Sequence, residues 1–514
     1  MKHDIFQNYC KGFRWLPFRR QSSSTVHAPK GSTTTFQSKT LADVPGPRGV
    51  YNIPFIGNAL QFYPYMKKKD THLFFQELHM RYGKLARMRL GSKNCLLLFD
   101  PTLIGEAMSQ EGIYPERYPI QMMEAYVKNT RRPLFSQQKG LEWQNIRSPA
   151  QQSIKSSVIK SYLGQQIQCA EELVTWLGNH GNNNPNVKKV FMRYSADANS
   201  VVAFDKKIGF LKSLEHPDPE LELFLHSISQ FMEAIGDSLF SVPWFKLWRT
   251  KLYVDFETAA DTVYRISEKY IDEARRELNR REGDLRLDPS DGDLTILKSL
   301  LQNERMPDSC TVTLMSALLY GGVEQVSQLL IWMLWLLGKS PDKQQILYNE
   351  ILSIGDSPLT AAQLGHMPYL KACVKETFRN VPPIATGIAR KLQQDTEIGG
   401  YHIPKGTFMF FCNNTLSLSE EQFENPEKFL PERWIEGKND SQKQRLMGLC
   451  VQPFGLGKRN CLGRRFAEQE IHLAVIKILQ NFEVEVTDDC RDALPQYTTF
   501  AVPDRPIKFI FKRR

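Results

Sequence analysis

The chain has 514 residues, of which 41% are hydrophobic and 24% are charged. These proportions are ordinary for a globular protein, and the length is sufficient for a large enzyme with one hydrophobic core. The nine scattered cysteines include no Cys-x-x-Cys pair, which argues against a disulfide framework and against a zinc site. The formal net charge of +10 lies partly in the N-terminal segment. No basic stripe alternates with aromatic residues elsewhere, so nucleic acid is not predicted as a partner.

The first forty residues have the composition of a mitochondrial transit peptide. They contain one acid, Asp4, and seven bases: Lys2, Lys11, Arg14, Arg19, Arg20, Lys30 and Lys39. Basic, hydroxyl-rich and acid-poor composition is typical of such a segment. A membrane-spanning helix would need an apolar run of roughly 20 residues, and these forty residues contain no such run. We therefore expect residues 1–40 to be a transit peptide, with a disordered basic tail as the alternative. Residues 41–514 are expected to form the folded domain.

The elements of the first part of this domain follow from local patterns. Helical periodicity predicts a helix over Thr71–Arg81. The segments Ala86–Leu90 and Cys95–Phe99 flank Gly91-Ser92-Lys93, which predicts a β-hairpin. Pro101 is expected to open the next helix, because proline is favoured in the first helical turn.

The remainder of the chain is predominantly helical in pattern. Helical periodicity extends over most of Gln151–Leu352, including one long helix over about Asp308–Gly338. Short strand signals return near Arg390–Phe411 and toward the C-terminus. The predicted fold is therefore mainly α, with a minor β-sheet region drawn from the two ends of the domain.

One short segment, PFGLGKRNCLG over Pro453–Gly463, carries the strongest chemical signal. It has the form Phe-x-x-Gly-x-Arg-x-Cys-x-Gly, built from Phe454, Gly457, Arg459, Cys461 and Gly463. Backbone N–H groups aimed at a sulfur, and the positive end of the helix predicted just after it, stabilise a thiolate. Cys461 is therefore a candidate reactive thiol or metal ligand, and a small buried core residue is the alternative.

This spacing resembles the fingerprint of the cytochrome P-450 family of haem-thiolate enzymes. The resemblance extends from about Pro45 to Pro503 and implies a mainly helical cytochrome P-450 fold with a single haem-binding domain. It also implies that Cys461 is the axial ligand of the iron of haem b, with O2 as co-substrate. A thiolate in that position favours O–O cleavage. Phe454 and Arg459 would then bind the cofactor, with Arg459 meeting a haem propionate.

Other segments match cofactor-binding positions of the same family. Trp143 and Arg147 in LEWQNIRSP resemble a Trp-x-x-x-Arg pair whose side chains meet the haem propionates. Arg390 in ATGIAR lies where a further propionate-binding arginine is expected. A core tryptophan and surface arginines are the alternative.

A structural cluster is also implied by resemblance. Glu376 and Arg379 in KACVKETFRN lie three residues apart, so they share a helix face and can pair. PERW, at Pro431 to Trp434, resembles the family segment that adds a second arginine, here Arg433. A buried charged cluster of this kind is costly to break and fixes local architecture.

The long helix departs from the family pattern in its middle, GGVEQVS at Gly321 to Ser327. Adjacent glycines inside a helix cost about 1 kcal/mol each relative to alanine, which indicates a close approach by another group. The family pattern here is Ala/Gly-Gly-x-Asp/Glu-Thr, and it lines the oxygen-binding groove. Glu324 matches the acid, but Gln325 stands where the threonine is expected. Both residues are predicted to be catalytic, and Gln325 puts the usual proton delivery in doubt.

The electron donor is predicted from cations on the Glu376 helix. Lys371 and Lys375 are four residues apart and share one face, and KACVKETFR resembles the mitochondrial class, in which this helix binds an acidic ferredoxin. Arg465, after Cys461, is expected to contribute to the same surface. Such cations steer encounter at a transient redox interface, and an ordinary solvated charge run is the alternative.

A location in the mitochondrial matrix follows from the transit-like leader and the ferredoxin. The apolar segment Phe240–Trp248, FSVPWFKLW, resembles the part of such enzymes that dips into the inner membrane, which predicts peripheral attachment. A buried loop is the alternative.

The resemblance implies a monooxygenase that receives electrons from a ferredoxin and its reductase and hydroxylates a lipophilic substrate. A steroid or sterol is the preferred class, with ecdysteroids as one candidate group. Alternatives are a mitochondrial member that oxidises foreign compounds, a haem-thiolate isomerase or dehydratase that needs no external electrons, and a haem-binding sensor or carrier. Gln325 in place of the expected threonine is compatible with the isomerase or dehydratase. Lys371 and Lys375, as predicted ferredoxin-binding residues, argue against the sensor or carrier.

Overall fold

Helices supply most of the structure, and the strands lie near the two ends of the chain. The computed structural model describes residues 39–48, 56–183, 185–239, 241–284, 295–303, 306–355, 359–435 and 441–514. Residues 39–514 form one compact unit. The expected transit peptide lies outside the described residues up to position 38, so it stays a prediction.

The helices agree with the periodicities in the sequence. In chain order they are α1 (Ala59–Lys67), α2 (Thr71–Tyr82), α3 (Pro101–Ser109), α4 (Gln121–Thr130), α5 (Gly140–Ser153), α6 (Ser156–Ser161), α7 (Leu163–His180), α8 (Val187–Phe204), α9 (Pro219–Ser238), α10 (Lys251–Asp284), α11 (Ile296–Leu301), α12 (Asp308–Lys339), α13 (Pro341–Leu352), α14 (Ala361–Gly365), α15 (Pro368–Asn380), α16 (Asn413–Ser417), α17 (Ser441–Cys450) and α18 (Arg464–Asn481). The predicted helices at Thr71, Pro101 and Asp308 are therefore confirmed.

The strands form small sheets that join distant parts of the chain. They are β1 (Lys39–Thr40), β2 (Leu85–Leu90), β3 (Lys93–Leu98), β4 (Ile388–Lys391), β5 (Thr396–Ile398), β6 (Tyr401–Ile403), β7 (Phe408–Phe411), β8 (Phe482–Val486), β9 (Pro495–Tyr497), β10 (Ala501–Pro503) and β11 (Phe509–Arg513). The predicted hairpin is β2-β3, and it joins β7 and β4 in the order β2-β3-β7-β4. β3 pairs with β7 in parallel, which connects the two ends of the domain as predicted.

The N-terminus of α3 illustrates how local sequence sets an element boundary. The Asp100 carboxylate accepts a hydrogen bond from the backbone N–H of Thr102 at 2.8 Å, which satisfies a group that the first helical turn leaves without a partner. Pro101 follows in the first turn, where its missing N–H costs nothing. These two residues explain why the strand of Leu98 ends and a helix begins.

The long helix α12 runs through the hydrophobic core and positions the site. Its central residues are buried, and it packs against α8, α10 and α18. Burial of a leucine or valine side chain contributes about 1.5–3 kcal/mol, so a helix buried on most of its surface is held firmly in place. Within the described ranges, no helix is both long enough and apolar enough to cross a membrane.

Candidate active site

A cavity lies between the middle of α12 and the segment that precedes α18. Cys461, Phe454 and Gly463 line one side of it, and Gly321, Gly322 and Gln325 of α12 line the other. Most of the remaining wall is apolar: Val202, Leu318, Val326, Leu329, Val381, Pro383, Phe466, Ile471 and Phe500. A flat apolar group could therefore lie between the cysteine and α12.

Cys461 faces this cavity. Its side chain has an exposed surface, but that surface opens onto the cavity inside the protein. Burial therefore still raises the pKa of the Cys461 thiol. The backbone N–H groups of Gly463 and Arg464 donate hydrogen bonds toward the sulfur and oppose the rise in pKa, as do nearby arginines. α18 begins at Arg464, so the positive end of that helix lies beside the sulfur. Burial thus keeps the free thiol protonated, whereas the N–H groups, the arginines and the helix end are the groups that would stabilise a thiolate once a metal is bound.

The segment before Cys461 is fixed by its own backbone and by aromatic contacts. The Cys461 N–H donates to the Phe454 carbonyl at 2.7 Å, which closes the loop. The Phe454 ring meets that of Phe378 on α15 at 5.4 Å in an edge-to-face arrangement. Phe454 thus lies against the cavity and holds the loop to the helix behind it.

Arginines form a cationic cluster beside the cavity. Arg147 donates to the Asn460 carbonyl at 2.8 Å. Arg459 donates to the Pro115 carbonyl at 2.8 Å, and its guanidinium lies 4.2 Å from the centre of the Trp143 ring. Burial, followed by repulsion from the neighbouring arginines, lowers the pKa of Arg459 to about 9. The structure therefore brings Trp143, Arg147 and Arg459 together, and their contact with haem propionates stays a prediction.

Arg117 belongs to the same cluster and was missed in the sequence. It donates to the Arg459 carbonyl at 2.7 Å. Burial, with repulsion from Arg390, lowers the pKa of Arg117 to about 10. Its side chain nevertheless has an exposed surface, which indicates that it too faces an internal space. YPERYP around Arg117 contains no motif that could have identified it.

The residues present fit the haem that the resemblance implies. Hydrogen bonds from Arg117, Arg147 and Arg459 go to carbonyl groups, and Asn460 also accepts from Arg147 through its side chain. A buried group of cations is costly without an anion nearby. The two propionate carboxylates on one edge of a haem would supply that negative charge. Apolar walls, a cysteine on one face and paired arginines at the edge therefore match haem b.

Arg390 has a carboxylate partner of its own. Its Nε lies 2.8 Å from Glu111 Oε1, and both side chains are buried. Arg390 also donates to the Leu456 carbonyl at 2.8 Å, so it braces the loop that leads to Cys461. Its predicted contact with a propionate stays a prediction, and in this structure its charge is already balanced by Glu111.

The paired glycines of α12 have different surroundings. A Cβ on Gly322 would lie 2.5 Å from Asn199 Oδ1, so only glycine fits beside that side chain. A Cβ on Gly321 would meet nothing within 4 Å, because Gly321 faces the cavity. Gln325 lies on the same side, and its exposed surface faces the cavity. The close approach that the sequence predicted therefore applies to Gly322.

Glu324 points away from Gln325 toward α8 and α9. Its carboxylate pairs with Lys188 at 2.8 Å and accepts from Ser229 Oγ at 3.2 Å. Gln328 donates to the same carboxylate at 3.3 Å. Glu324 is thus linked to the half-buried Lys188, and its catalytic role stays a prediction.

Glu376 lies at the centre of a buried cluster. Arg379 donates to it at 2.9 and 3.0 Å, and Arg433 donates at 3.1 Å. Trp434 Nε1 donates at 2.8 Å to the same carboxylate. The structure therefore brings Glu376, Arg379 and Arg433 together, and it adds Trp434.

The cations expected to bind a ferredoxin lie at or near the surface. Lys375 and Arg465 are exposed, whereas Lys371 is half-buried and donates to the Gly365 carbonyl at 2.5 Å. Burial, followed by the charge of Lys371, lowers the pKa of His472 on α18 to about 4. Whether this surface binds a ferredoxin stays a prediction.

Comparison with known proteins agrees with this geometry. The family model for cytochrome P-450 matches residues 47–511. The chain is 27% identical to the mitochondrial 1,25-dihydroxyvitamin D(3) 24-hydroxylase of Rattus norvegicus, over 94% of this chain and 91% of that protein. It is 27% identical to the mitochondrial cholesterol side-chain cleavage enzyme of the same species, over 92% and 90%. It is also 27% identical to the probable cytochrome P-450 49a1 of Drosophila melanogaster, over 95% and 86%.

Proposed function

The chain belongs to the cytochrome P-450 family, and from this premise we propose that it hydroxylates a steroid or sterol in mitochondria with electrons from a ferredoxin. Members of the family bind haem b through a cysteine thiolate and use O2, so the protein is an oxidoreductase, a cytochrome P-450 monooxygenase. The family, the fold and the cofactor that the sequence indicated are therefore confirmed.

One observation supports this function above the others. Cys461 shares a single apolar cavity with Gly321 and Gln325 of α12. Haem b, when bound, supplies the chemistry that inserts one atom of O2 into the substrate and reduces the other to water. We propose that Cys461 ligates its iron and that Arg117, Arg147 and Arg459 bind its propionates.

The substrate class follows from the cavity wall and from the relatives. The wall is mainly aliphatic and aromatic, and Pro383 and Phe500 reach it from two loops. Such a wall favours a lipophilic molecule, because burial of apolar surface drives binding. Two mitochondrial relatives are named for hydroxylation of a vitamin D derivative and for cleavage of the cholesterol side chain. These names support a sterol-like substrate for this chain.

Mitochondrial relatives also support the ferredoxin and the location. Lys371 and Lys375 on α15 and Arg465 at the start of α18 would steer an acidic ferredoxin toward the surface that carries them. The basic leader would direct the chain to the matrix. A fluorescent fusion of residues 1–40 tests the location, and a fusion found in the endoplasmic reticulum would contradict it.

Peripheral contact with the inner membrane is proposed for the segment that ends at Trp248. Phe240 lies outside the described residues, and Phe245 packs against Tyr253 of the core. Four other apolar side chains of the segment are exposed: Val242, Trp244, Leu247 and Trp248. The Trp244 and Trp248 rings stack at 5.4 Å, which presents a continuous apolar surface. Tryptophan is enriched at membrane interfaces, so this surface is suited to shallow insertion.

The decisive experiment identifies the product. A lipid extract is incubated with the protein, a mitochondrial ferredoxin, its reductase and ¹⁸O-labelled O2, and products are measured by mass spectrometry. A sterol that gains one labelled oxygen supports the proposal. Labelled products only from foreign compounds would favour the detoxifying alternative, and an unlabelled rearranged product would favour the isomerase or dehydratase.

A further inference from the structure

A buried carboxyl group on α18 lies one side chain away from the cavity and has no role in the function proposed above. Glu470 is fully buried. Its Oε2 accepts a hydrogen bond from Asn199 Nδ2 at 2.9 Å, whereas its Oε1 has no partner among the described residues. A buried carboxyl with one oxygen unsatisfied costs free energy, so its presence calls for an explanation.

Asn199 connects this carboxyl to the reaction site. The side chain lines the same cavity as Cys461 and Gln325, and its Oδ1 lies against Gly322 of α12. Its Nδ2 also donates to the Ser195 carbonyl at 2.9 Å, so the amide is fixed within α8. Glu470, Asn199 and Gly322 therefore form a continuous contact from α18 to α12.

The surroundings of Glu470 favour its protonated form. Burial raises the pKa of the Glu470 carboxyl to about 8, and the hydrogen bonds from Ser195 and Asn199 oppose this rise only in part. The titratable groups nearby are Tyr194 of α8 and Cys169 of α7, and both have pKa values raised chiefly by burial. Both are therefore neutral near pH 7, so neither offers a charge that would draw the proton from Glu470.

The reaction needs protons in this cavity. Hydroxylation of RH by O2 consumes two electrons and two protons and yields ROH and H2O. Gln325 offers no hydroxyl to pass a proton. The Glu324 carboxylate is held by Lys188 of α8 and Ser229 of α9, and the cavity-lining Gln328 is the residue that connects it with the cavity. Another proton-bearing group beside the cavity would meet this need.

We propose that Glu470 donates protons to the cavity beside Cys461 and that Asn199 is the positioning residue that holds its carboxyl there. The proton leaves Oε1 to a water molecule bound between Glu470 and the amides of Asn199 and Gln325. A proton from solvent then restores the acid, so Glu470 is unchanged over one turnover. Asn199 and Gln325 both line the cavity, and a water held by two or more polar groups of this kind would accept the proton.

The first test is infrared spectroscopy of the purified holoprotein. The wild type should show the C=O stretch of a protonated carboxylic acid at neutral pH, which fades as the pH rises through about 8. Glu470→Gln should remove that band. Glu171→Gln is the matched control. Glu171 on α7 is a surface carboxylate that pairs at 2.7 Å with Lys477 of α18, the helix that carries Glu470. A wild-type spectrum from which Glu470→Gln removes nothing would overturn the proposal.

The second test measures the fate of O2 with a photoreduced flavin as the electron source, so that neither substrate nor ferredoxin is required. Peroxide released per O2 consumed, after subtraction of the peroxide that the flavin alone forms with O2, should rise in Glu470→Gln. O2 turnover should fall by about 10²-fold, because a positioned acid contributes a factor of at least that size. Asn199→Leu should act in the same direction while it keeps the carboxyl band, now shifted by the lost hydrogen bond. The Asn199→Leu variant also provides the test if Glu470→Gln does not fold. Unchanged peroxide yield in both variants would overturn the proposal even if the band is present.

Discussion

The Lys188 ammonium lies 2.8 Å from the Glu324 carboxylate, which links the surface of α8 to the middle of α12. The Lys188 side chain is 34% exposed, and that of Glu324 only 7%. Glu324 adjoins Gln325, which faces the cavity beside Cys461. The pair therefore leads from solvent to the helix that lines the reaction site.

Replacement of Lys188 should lower the free energy of unfolding. Lys188→Met leaves Glu324 buried without its cation, and we expect the free energy of unfolding to fall by about 2 kcal/mol, less than for a fully buried pair because Lys188 is part-exposed. Urea unfolding of the holoprotein measures the change. The double variant with Glu324→Gln should recover most of the loss. Equal stability of Lys188→Met and wild type would show that the pair contributes nothing.

The proposed iron ligand can be tested by spectroscopy. Cys461→Ser should abolish the strongly red-shifted absorption of the reduced carbon monoxide complex, because that band requires a thiolate opposite the bound gas. Cys310→Ser is the control, since Cys310 is half-buried on α12 and does not line the cavity with Cys461. Retention of the band in Cys461→Ser would remove Cys461 from the site.

The local features of the site were predictable, whereas its long-range contacts were not. Phe454, Arg459 and Cys461 lie within one short segment, so their spacing alone indicated the ligand and its loop. The hairpin β2-β3 followed in the same way from its turn residues, and the start of α3 followed from Pro101. Each of these signals is contained in about ten consecutive residues, which is the range over which local propensity acts.

Pairs drawn from distant segments could not be found this way. Arg390 and Glu111 are 279 positions apart, and Asn199 and Glu470 are 271 apart. Nothing in the sequence around Glu111 or Asn199 identifies its partner, because α-helical pattern specifies a buried face and not which helix covers it. Arg117 was missed for the same reason: its neighbours in the cluster come from α5 and from the loop before α18.

The buried cluster around Glu376 should be essential for folding. Glu376→Gln removes the charge that balances Arg379, whose side chain is fully buried, and we expect a loss of about 3–5 kcal/mol. The measurement is the yield and thermal midpoint of the holoprotein. Glu432→Gln is the control, because Glu432 lies beside Arg433 but bonds Lys343 and Tyr369 in a more exposed place. Similar losses for the two variants would contradict a special role for Glu376.

The ferredoxin surface should respond to charge and to salt. Changing Lys371 and Lys375 together to Gln should weaken ferredoxin-supported turnover severalfold and leave substrate binding intact, because cations at or near the surface steer encounter. Added salt should weaken the wild type in the same direction, since the Debye length falls from about 10 Å at 0.1 M to about 3 Å at 1 M. The double variant Lys251→Gln with Lys269→Gln on α10 is the control. Salt-insensitive turnover with a normal Lys371/Lys375 variant would refute the docking proposal.

Gln325 is the position at which this chain departs from its family in the cavity itself. A glutamine amide can donate a hydrogen bond and hold a water, but it cannot pass on a proton as a hydroxyl does. We therefore expect slow but real hydroxylation, with part of the reductant lost as hydrogen peroxide. Gln325→Thr should couple oxygen use to product at least as well as the wild type, and Gln325→Ala should couple less well, because it can hold no water. The ratio of product formed to reductant consumed measures coupling in all three proteins. If the wild type converts its substrate without O2 or reductant, its turnover is not a hydroxylation and the isomerase alternative applies to that substrate.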